Sequence, residues 1–399
     1  MPGLDTNYFR MYVIFFVLLL TFIFLLPVSS KGDHNNPPDL PFGFDLSCVD
    51  SIVYEGIRDS IYPGAVLVIG NADGIVYRQA YGGFDYSEKA IRMQTGTVFD
   101  LASVTKVLVT TLAIMKLYEQ GKIDLYAPVA EYIPEFAQNG KDSVLIKNLL
   151  LHNSGFQPGR PFHQFCSTPD EVFDSLYATL LVYATGDRYV YSDLNFITLG
   201  KIIEIVSGKT PDSFCSDNFY EQMELTNTMF NPPDTLWPII APTETEFNYY
   251  MTGRPGMVRN RITRLLNGVA GHAGLFSSAD DISQLAIMLM NNGYYRGVKY
   301  LDTSTIKLFT ERYGWGSTRG LGWDTGNGAE EHRVGSMFSL SAFGHTGYTG
   351  TSLWIDPEQN VFIVFLTNRT YGGHIDRRIY TIRPLLHDAI LRITRRFHE

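Results

Sequence analysis

A serine and a lysine three positions apart, Ser103 and Lys106, are the strongest candidates for catalytic residues. Apolar periodicity predicts a helix over residues 104–120, and a helix places residues three apart on one face. The lysine amine would then reach the serine hydroxyl, which is a poor nucleophile until a base removes its proton. The helix N-terminus would add free N–H donors and a partial positive charge. The alternative interpretation is an N-cap serine followed by a solvated lysine.

A tyrosine further along the chain, Tyr191, begins a Y-S-D sequence that ends at Asp193. A tyrosine beside a lysine ammonium can have a lowered pKa and act as a general base. Because the chain contains 24 tyrosines, a loop tyrosine without a catalytic function is the alternative. The Y-S-D sequence therefore gains weight only in combination with the serine and the lysine.

A glycine-rich sequence, GHTGYTG at residues 344–350, precedes a predicted β-hairpin. Glycines allow a strand backbone to approach a substrate closely, and a backbone N–H on such a strand can stabilise an oxyanion. A glycine-rich turn entering a strand is the alternative. Two further histidines, His152 and His272, lie close to glycines and are predicted to be structural hydrogen-bonding groups.

No pattern in the sequence predicts a metal or a cofactor. The chain lacks a zincin HExxH sequence, a Walker loop, a G-x-S-x-G elbow and an EF-hand loop. The pair His163 and Cys166 provides too few ligands for a metal site. The three cysteines, Cys48, Cys166 and Cys215, include no C-x-x-C pair and allow at most one disulfide, whose pairing stays open.

Two β-hairpins and a helical middle are the elements that must position these residues. The hairpins are predicted over residues 64–70 with 75–81 and 352–356 with 361–367. Helices are predicted over residues 104–120, 196–206, 282–290 and 375–397. Pro384 would kink the last helix or begin a second one. Hairpins near both chain ends predict an α/β fold, in which one antiparallel β-sheet is flanked by helices and an all-α lobe is inserted between the hairpins.

An apolar run at residues 11–26 contains no charge and no glycine. Its length lies between the about 7–15 residues of a signal-peptide core and the about 17–25 of a spanning helix. We expect residues 1–30 to be a signal peptide or an N-terminal membrane anchor, residues 31–45 a polar tether, and residues 46–399 the folded domain. That domain would be secreted or anchored on the non-cytoplasmic side, with no other contact with a membrane. A buried core helix is the third alternative for the apolar run.

The composition is that of a globular protein, with 45% hydrophobic residues among 399. The 32 basic and 41 acidic residues give a net charge of −9, and the sequence contains no basic cluster. Because phosphate binding requires concentrated lysine and arginine, a nucleic-acid partner is not expected.

The three motifs occur in the same order as those of the serine β-lactamases and penicillin-binding proteins, and their combination resembles that set. The class C β-lactamase-related branch contains sequences similar to ASVTKVLVTTLAIMKLYEQGKIDLYAPVAEYIPEF, LLLHNSGF, GVAGHAGLFSSADDI, RGLGWD and GHTGYTGTSLWIDPE. That branch includes penicillin-binding esterases, D-aminopeptidases and low-activity penicillin-binding proteins of the 4B kind. The resemblance extends over roughly residues 61–369 and implies an α/β sandwich with an α-helical lobe.

The resemblance implies a role for each motif residue. Ser103 would be the acylated nucleophile, Lys106 would hold or accept its proton, and Tyr191 would relay protons in acylation and deacylation. The backbone N–H groups of Ser103 and Tyr348 would form the oxyanion hole. The implied substrate-facing positions are Asp193, His345, Thr346, Gly347 and Tyr348.

Two positions depart from the β-lactamase pattern and count against β-lactamase activity. Asp193 stands where class C enzymes carry asparagine, and His345 stands where β-lactamases carry the lysine of K-T-G. A histidine with an ordinary pKa of about 6.5 is mostly neutral at and above neutral pH, so the site is expected to favour neutral substrates there. Acidification would charge His345 and increase the tolerance for carboxylates. Residues 258–267 also lack the V-H-D sequence common in the branch.

The sequence therefore predicts a serine hydrolase that cleaves an ester or a small amide or peptide bond through a Ser103 acyl-enzyme. The expected partner is a small-molecule substrate, without cofactor, metal or nucleic acid. Two alternatives stay open. One is a penicillin-binding DD-carboxypeptidase or β-lactamase, and the other is a catalytically silent scaffold that kept the fold.

Overall fold

Strands near both ends of the described chain form one antiparallel sheet. The computed structural model describes residues 45–243, 256–314, 318–326, 334–373 and 376–395. Its strands are β1 (Gly64–Asn71), β2 (Gly74–Gly82), β3 (Val98–Asp100), β4 (Phe276–Ser278), β5 (Tyr294–Tyr295), β6 (Val298–Lys299), β7 (Asp324–Thr325), β8 (Phe343–Thr346), β9 (Ser352–Asp356) and β10 (Val361–Thr367). Six of them form a sheet in the order β2-β1-β10-β9-β8-β7, in which every pairing is antiparallel.

The two hairpins of this sheet join where β1 pairs with β10. The register of this pairing runs from Ala65 opposite Thr367 to Gly70 opposite Phe362. The hairpins predicted from the sequence are β1–β2 and β9–β10, and both are confirmed, as is the antiparallel sheet. Since the two hairpins are neighbours, the long segment between them, which contains Ser103, is anchored to the sheet at both of its ends.

Helices flank the sheet and fill the segment between the hairpins. They are α1 (Ser47–Arg58), α2 (Leu112–Glu119), α3 (Val129–Tyr132), α4 (Ile146–Leu150), α5 (Pro169–Tyr177), α6 (Asp193–Ser207), α7 (Pro211–Cys215), α8 (Arg261–Leu265), α9 (Ala279–Met290), α10 (Thr303–Thr310) and α11 (Ile379–Arg395). The predicted helices over residues 196–206 and 282–290 are confirmed as α6 and α9. Pro384 lies inside α11 and does not begin a second helix.

The two faces of the sheet bury different sets of side chains. In β1, Ala65, Leu67 and Ile69 pack in a core with α1 and α11, whereas Val66 and Val68 pack in the larger core with α2 and α9. Successive side chains of a strand point to opposite faces, so a strand that is apolar at every position must be covered on both sides. The result is a sheet between two helical layers.

The predicted helix over residues 104–120 is correct in position but not regular. It begins as a 3-10 turn at Ala102–Val104, continues as a π-helix over Lys106–Thr111 and becomes α-helical only in α2. Side-chain hydroxyls compete with the backbone there, because the Thr111 hydroxyl donates to the carbonyl of Lys106 at 2.9 Å. Wide helical turns of this kind occur often at functional sites.

The predicted leader at residues 1–30 and most of the predicted tether lie outside the described residues. Within the described ranges, no helix combines the length and the apolar character that crossing a bilayer requires.

Phe365 of β10 tests the assignment of the core. Its side chain is fully buried, and its ring packs edge-to-face on Tyr62 with 5.7 Å between centroids. The Phe365→Ala change removes apolar contact and leaves a cavity, so we expect the free energy of unfolding to fall by about 3–5 kcal/mol. The matched change at Phe165, which is 52% exposed, should lower it by less than about 1 kcal/mol. Denaturant unfolding followed by circular dichroism measures both, and equal effects would contradict the described core.

Candidate active site

The backbone just before Ser103 has a conformation that residues other than glycine rarely take. Ala102 has φ of 47°, in the left-handed region, two residues after the end of β3. The Asp100 carboxylate holds this turn, because its oxygens accept the N–H of Ala102 at 2.9 Å and the N–H of Arg259 at 2.8 Å. Ser103 then lies in the first turn of the helix, where backbone N–H groups lack acceptors within the helix. The turn therefore places both the hydroxyl and the N–H of Ser103 in the candidate active site.

Lys106 is completely buried, and its Nζ donates to three different acceptors. These are the Ser103 hydroxyl at 3.2 Å, the Asp193 carboxylate at 2.8 Å and the backbone carbonyl of His272 at 3.0 Å. The fold thus brings together the serine and the lysine of the first motif and the aspartate of the second. The carbonyl of His272 belongs to the GHAG sequence, for which the sequence predicted only a structural role.

The surroundings of Lys106 determine its charge. Burial alone would lower the pKa of the Lys106 ammonium, but the nearby Asp193 carboxylate and Tyr191 phenol outweigh burial and raise that pKa above its ordinary value. The resting lysine is therefore an ammonium with one N–H for each acceptor. Loss of one proton would leave two N–H groups for the carboxylate and the carbonyl, and a lone pair directed at Ser103.

The ring of Tyr191 lies against the Lys106 ammonium, with Nζ 5.0 Å from the ring centroid. Burial raises the pKa of the Tyr191 phenol, Asp193 raises it further, and Lys106 and Ser103 act in the opposite direction. The net shift is upward, so the resting tyrosine is a neutral phenol. Neither Tyr191 nor Lys106 is a free base at rest, and a proton must leave this pair before Ser103 can be activated.

His152 fixes the position of Tyr191. The two rings pack with 4.6 Å between centroids, and the His152 Nδ1 accepts the backbone N–H of Ser192 at 3.1 Å. This places the imidazole proton on Nε2. Burial is the main reason why the pKa of His152 lies well below its usual value, so the ring is neutral. The predicted structural role of this histidine agrees with these contacts.

Asp193 is a charged partner for Lys106 at the N-terminus of α6. Burial would raise the pKa of its carboxyl, but Lys106 lowers it more, and the net pKa lies below the usual range. About a third of the side chain is exposed, at 31%. The position predicted to face substrate is thus reachable from solvent, and its charge is fixed at neutral pH.

His345, in β8, is 2% exposed, and its Nδ1 lies 2.8 Å from the carbonyl of Thr346. A carbonyl only accepts, so this Nδ1 carries the proton. Burial, Arg319 and Lys106 hold the pKa of His345 well below its ordinary value. The sequence-based expectation of a histidine that charges on mild acidification is therefore wrong, because an ordinary pKa requires solvent around the imidazole.

The turn after β8 is bound to the segment before Ser103. The hydroxyls of Thr349 and Thr351 donate to the carbonyls of Asp100 at 2.7 Å and Leu101 at 3.0 Å. A Cβ at Gly347 would lie 2.4 Å from the Leu101 carbonyl oxygen, so only glycine allows this approach. Thr346 is half-buried at the end of β8, and Tyr348 is exposed. The predicted oxyanion donors, the N–H groups of Ser103 and Tyr348, thus belong to two segments that are directly joined.

Arg319 is a residue of the site that the sequence analysis missed. It is 5% exposed, pairs with Asp324 of β7 at 2.6 Å, and its guanidinium carbon lies 5.6 Å from the ring centroid of Tyr191. The available signal was an arginine and an aspartate that enclose the short apolar sequence GLGW. A charged pair at the ends of a buried segment indicates a buried ion pair, but its neighbours depend on the sheet.

Other features of the described residues do not add to this site. A cavity of about 830 Å³ among the described residues contains none of the motif residues and is lined by Ala72, Asp73, Gly74, Ile75, Arg78, Asp280, Gln284, Ile287, Asn291, Tyr294, Tyr295, Arg296 and Gly297. Among the described residues there is no cluster of three or more metal-ligating side chains. Cys48, Cys166 and Cys215 are free thiols, so the single disulfide that the sequence allowed is not formed.

Comparison with known proteins gives a consistent result. A model of the family described as Beta-lactamase matches residues 49–386. A protein of Bacillus subtilis strain 168 named N-acetylmuramyl-L-alanine amidase is 33% identical, over 83% of this chain and 82% of its own. An Escherichia coli K12 protein, provisionally named D-alanyl-D-alanine carboxypeptidase, is 33% identical over 79% and 80% of the two chains. The solved structure of EstCE1, a hydrolase with promiscuous acyltransferase activity, has a TM-score of 0.70 at 23% identity, covering 86% and 98%.

The Asp193→Asn change tests the charge state of the site. Asp193 raises the pKa of both Lys106 and Tyr191, so its neutral amide should lower both, whichever of the two is the base. We expect the inflection of kcat/KM against pH to move to lower pH by about 1–3 units. The control is Asp187→Asn, an exposed aspartate paired with Arg188, which should leave the inflection unchanged. An inflection that stays in place in Asp193→Asn would show that this carboxylate does not control the base.

The buried His345 leads to a second prediction. Its pKa lies well below the ordinary value, so the charge of the site should not change as the pH falls moderately. We expect the ratio of kcat/KM for a carboxylate-bearing ester to that for its neutral analogue to stay level from about pH 8.5 to about pH 5.5. A ratio that rises on acidification would contradict the neutral, buried imidazole. The control is His345→Lys, whose added cation should raise the ratio at every pH.

Proposed function

The chain belongs to the β-lactamase family of serine hydrolases, and we propose that it cleaves an ester, or a small amide or peptide bond, through an acyl-enzyme on Ser103. The observation that carries this proposal is the contact between the Lys106 Nζ and the Ser103 hydroxyl at 3.2 Å. Lys106 is fully buried and has a second and a third acceptor, so its position does not depend on a substrate. Such preorganisation is what nucleophile activation requires.

Acylation requires that the pair formed by Lys106 and Tyr191 has first lost one proton to solvent. The deprotonated pair then removes the Ser103 proton. The serine oxygen forms a bond to the carbonyl carbon of the substrate, and the carbonyl oxygen becomes an oxyanion. The N–H groups of Ser103 and Tyr348 would stabilise that charge. The bond to the leaving group then breaks, and the leaving group takes the proton that the pair accepted, so the pair returns to its deprotonated, reactive form.

Deacylation repeats these steps with water as the nucleophile. The pair accepts a proton from water, the hydroxide oxygen bonds to the acyl carbon, and the Ser103 oxygen leaves with the proton. The products are a carboxylic acid and the free enzyme. No cofactor enters either half of this cycle.

A penicillin-binding DD-carboxypeptidase is the second candidate. Two relatives at 33% identity carry names of amidase and carboxypeptidase activities, which favours an amide or peptide substrate. The neutral His345 gives no charge for a substrate carboxylate, which favours an ester or an uncharged amide. A β-lactamase in the strict sense has less support for the same reason.

A silent scaffold is the least supported alternative. Loss of function would remove selection on the serine, the lysine and the tyrosine, yet all three are present and in contact.

We also propose that the enzyme acts on the non-cytoplasmic side of a membrane. The support is the uncharged apolar run at residues 11–26, followed by a polar sequence that contains prolines. Fractionation of cells that express the full chain, with protease protection of the catalytic domain as the readout, tests this proposal independently of activity.

Covalent labelling tests the proposed acyl-enzyme. Incubation with an activated ester should add one acyl group to a peptide that contains Ser103, measured by intact-mass and peptide mass spectrometry. Ser103→Ala should abolish the adduct and lower kcat/KM by at least about 10³-fold. The control is Ser87→Ala at an exposed surface serine, which should label like the wild type.

Two probes separate the candidate substrates. A fluorophosphonate band without a penicillin band indicates an esterase, and both bands indicate a penicillin-binding enzyme. An adduct on a serine other than Ser103 would overturn the assignment of the nucleophile, and the absence of any label would support the scaffold.

A further inference from the structure

Two cations that come from different parts of the fold lie over the phenol ring of Tyr191. The Lys106 Nζ is 5.0 Å from its ring centroid, and the Arg319 guanidinium carbon is 5.6 Å from the same centroid. Cations within about 6 Å of an aromatic face are attracted to it, and they stabilise a phenolate more strongly than a phenol. The sequence motifs account for Lys106 only.

Arg319 is held in place by groups other than substrate. Its guanidinium pairs with Asp324 of β7, contacts the Tyr189 hydroxyl and lies 4.8 Å from the Tyr189 ring centroid. With 5% of its surface exposed, it cannot present its charge to a ligand in solution. Any effect of Arg319 on the reaction must therefore pass through the side chains that it contacts.

We propose that Arg319 is a positioning residue for Tyr191. The fixed positive charge of Arg319 stabilises the phenolate form of Tyr191, which accepts the Ser103 proton. The proposal rests on the proposed function, because it assumes that Ser103 is acylated. In the step itself, the proton moves from the Ser103 hydroxyl to the Tyr191 oxygen while the serine oxygen bonds to the carbonyl carbon. Arg319 keeps all its protons and forms no bond, so the step needs no further reactant.

The other groups that face Tyr191 do not replace this charge. From α6, the Asp193 carboxylate opposes the phenolate and is itself paired with Lys106. The imidazoles of His152, which stacks on the tyrosine, and His345, in β8, are buried and neutral because their pKa values are well below the ordinary value.

Each of the two cations near Tyr191 forms an ion pair with an aspartate. Lys106 is paired with Asp193, and Arg319 is paired with Asp324, which is 22% exposed and so partly solvated. Removal of the Arg319 charge would take away a cation over the Tyr191 ring and so disfavour the phenolate. Removal of the Asp324 charge would leave the Arg319 cation without its counter-charge and so favour the phenolate.

The test is the pH dependence of kcat/KM for a neutral activated ester in purified variants of the full chain. Arg319→Gln should move the inflection to higher pH by about one unit and lower kcat/KM below it by up to about tenfold. Asp324→Asn should move the inflection to lower pH. Arg319→Lys keeps a cation and should return the inflection close to that of the wild type, even if its melting temperature falls.

Two controls separate an action through Tyr191 from a general structural effect. Tyr189→Phe removes the hydroxyl that Arg319 contacts, and the inflection should stay in place. In a Tyr191→Phe background, Arg319→Gln should cause no further loss in kcat, because residues that act as one unit are not additive.

The outcomes are distinct from those that test the proposed function. If wild-type Ser103 forms no acyl adduct, the proposed function fails. If the adduct forms but the inflection is the same in wild type, Arg319→Gln and Asp324→Asn, the role of Arg319 is overturned. An equal loss of kcat/KM at every pH in Arg319→Gln would also overturn it, since a structural defect has no reason to follow the titration of Tyr191.

Discussion

A lysine ammonium without solvent needs an acceptor for each of its protons, and the arrangement of the site follows from that requirement at Lys106. Its three acceptors come from the turn before the helix, from the start of α6 and from the carbonyl of His272. Each of these segments belongs to a different part of the chain. They must be assembled together, because a buried ammonium that lacks one partner is strongly destabilising.

Close backbone contacts make this assembly possible. A Cβ at Gly271 would lie 2.2 Å from the carbonyl oxygen of Phe196 in α6, so a glycine is needed for the neighbouring His272 carbonyl to reach the lysine. On the other side, Gly347 allows the turn after β8 to lie against the residues before Ser103. The sheet supplies the rigid support, since β8 pairs with β9, next to the central β10. The positions of the site residues therefore depend on the sheet.

The charges in this site differ from those of an active site in which a histidine takes up and releases the proton. Two fixed cations, Lys106 and Arg319, face one neutral phenol, and each has a carboxylate partner. The histidines that contact the same phenol, His152 and His345, are neutral and serve as packing and hydrogen-bonding groups. Under the proposed function, proton transfer therefore falls to the lysine and the tyrosine, and the histidines hold those two residues in place.

Local patterns in the sequence were enough to predict the class of the fold and to identify the three motifs. Alternation and turn residues located both hairpins, because these signals depend on neighbours in the chain. It also placed Ser103 one turn from Lys106, since helical spacing is local.

Which distant groups come into contact depends on the folded chain. Local patterns did not predict the π-helical turn that begins at Lys106 or the neutral state of His345. They also did not predict the three hydrogen bonds of Lys106 or the position of Arg319 beside Tyr191. The physical reason is that burial and charge act through space. The pKa of His345 depends on solvent that β8 excludes and on an arginine held by the edge strand β7, and neither is a property of the residues next to it in the chain.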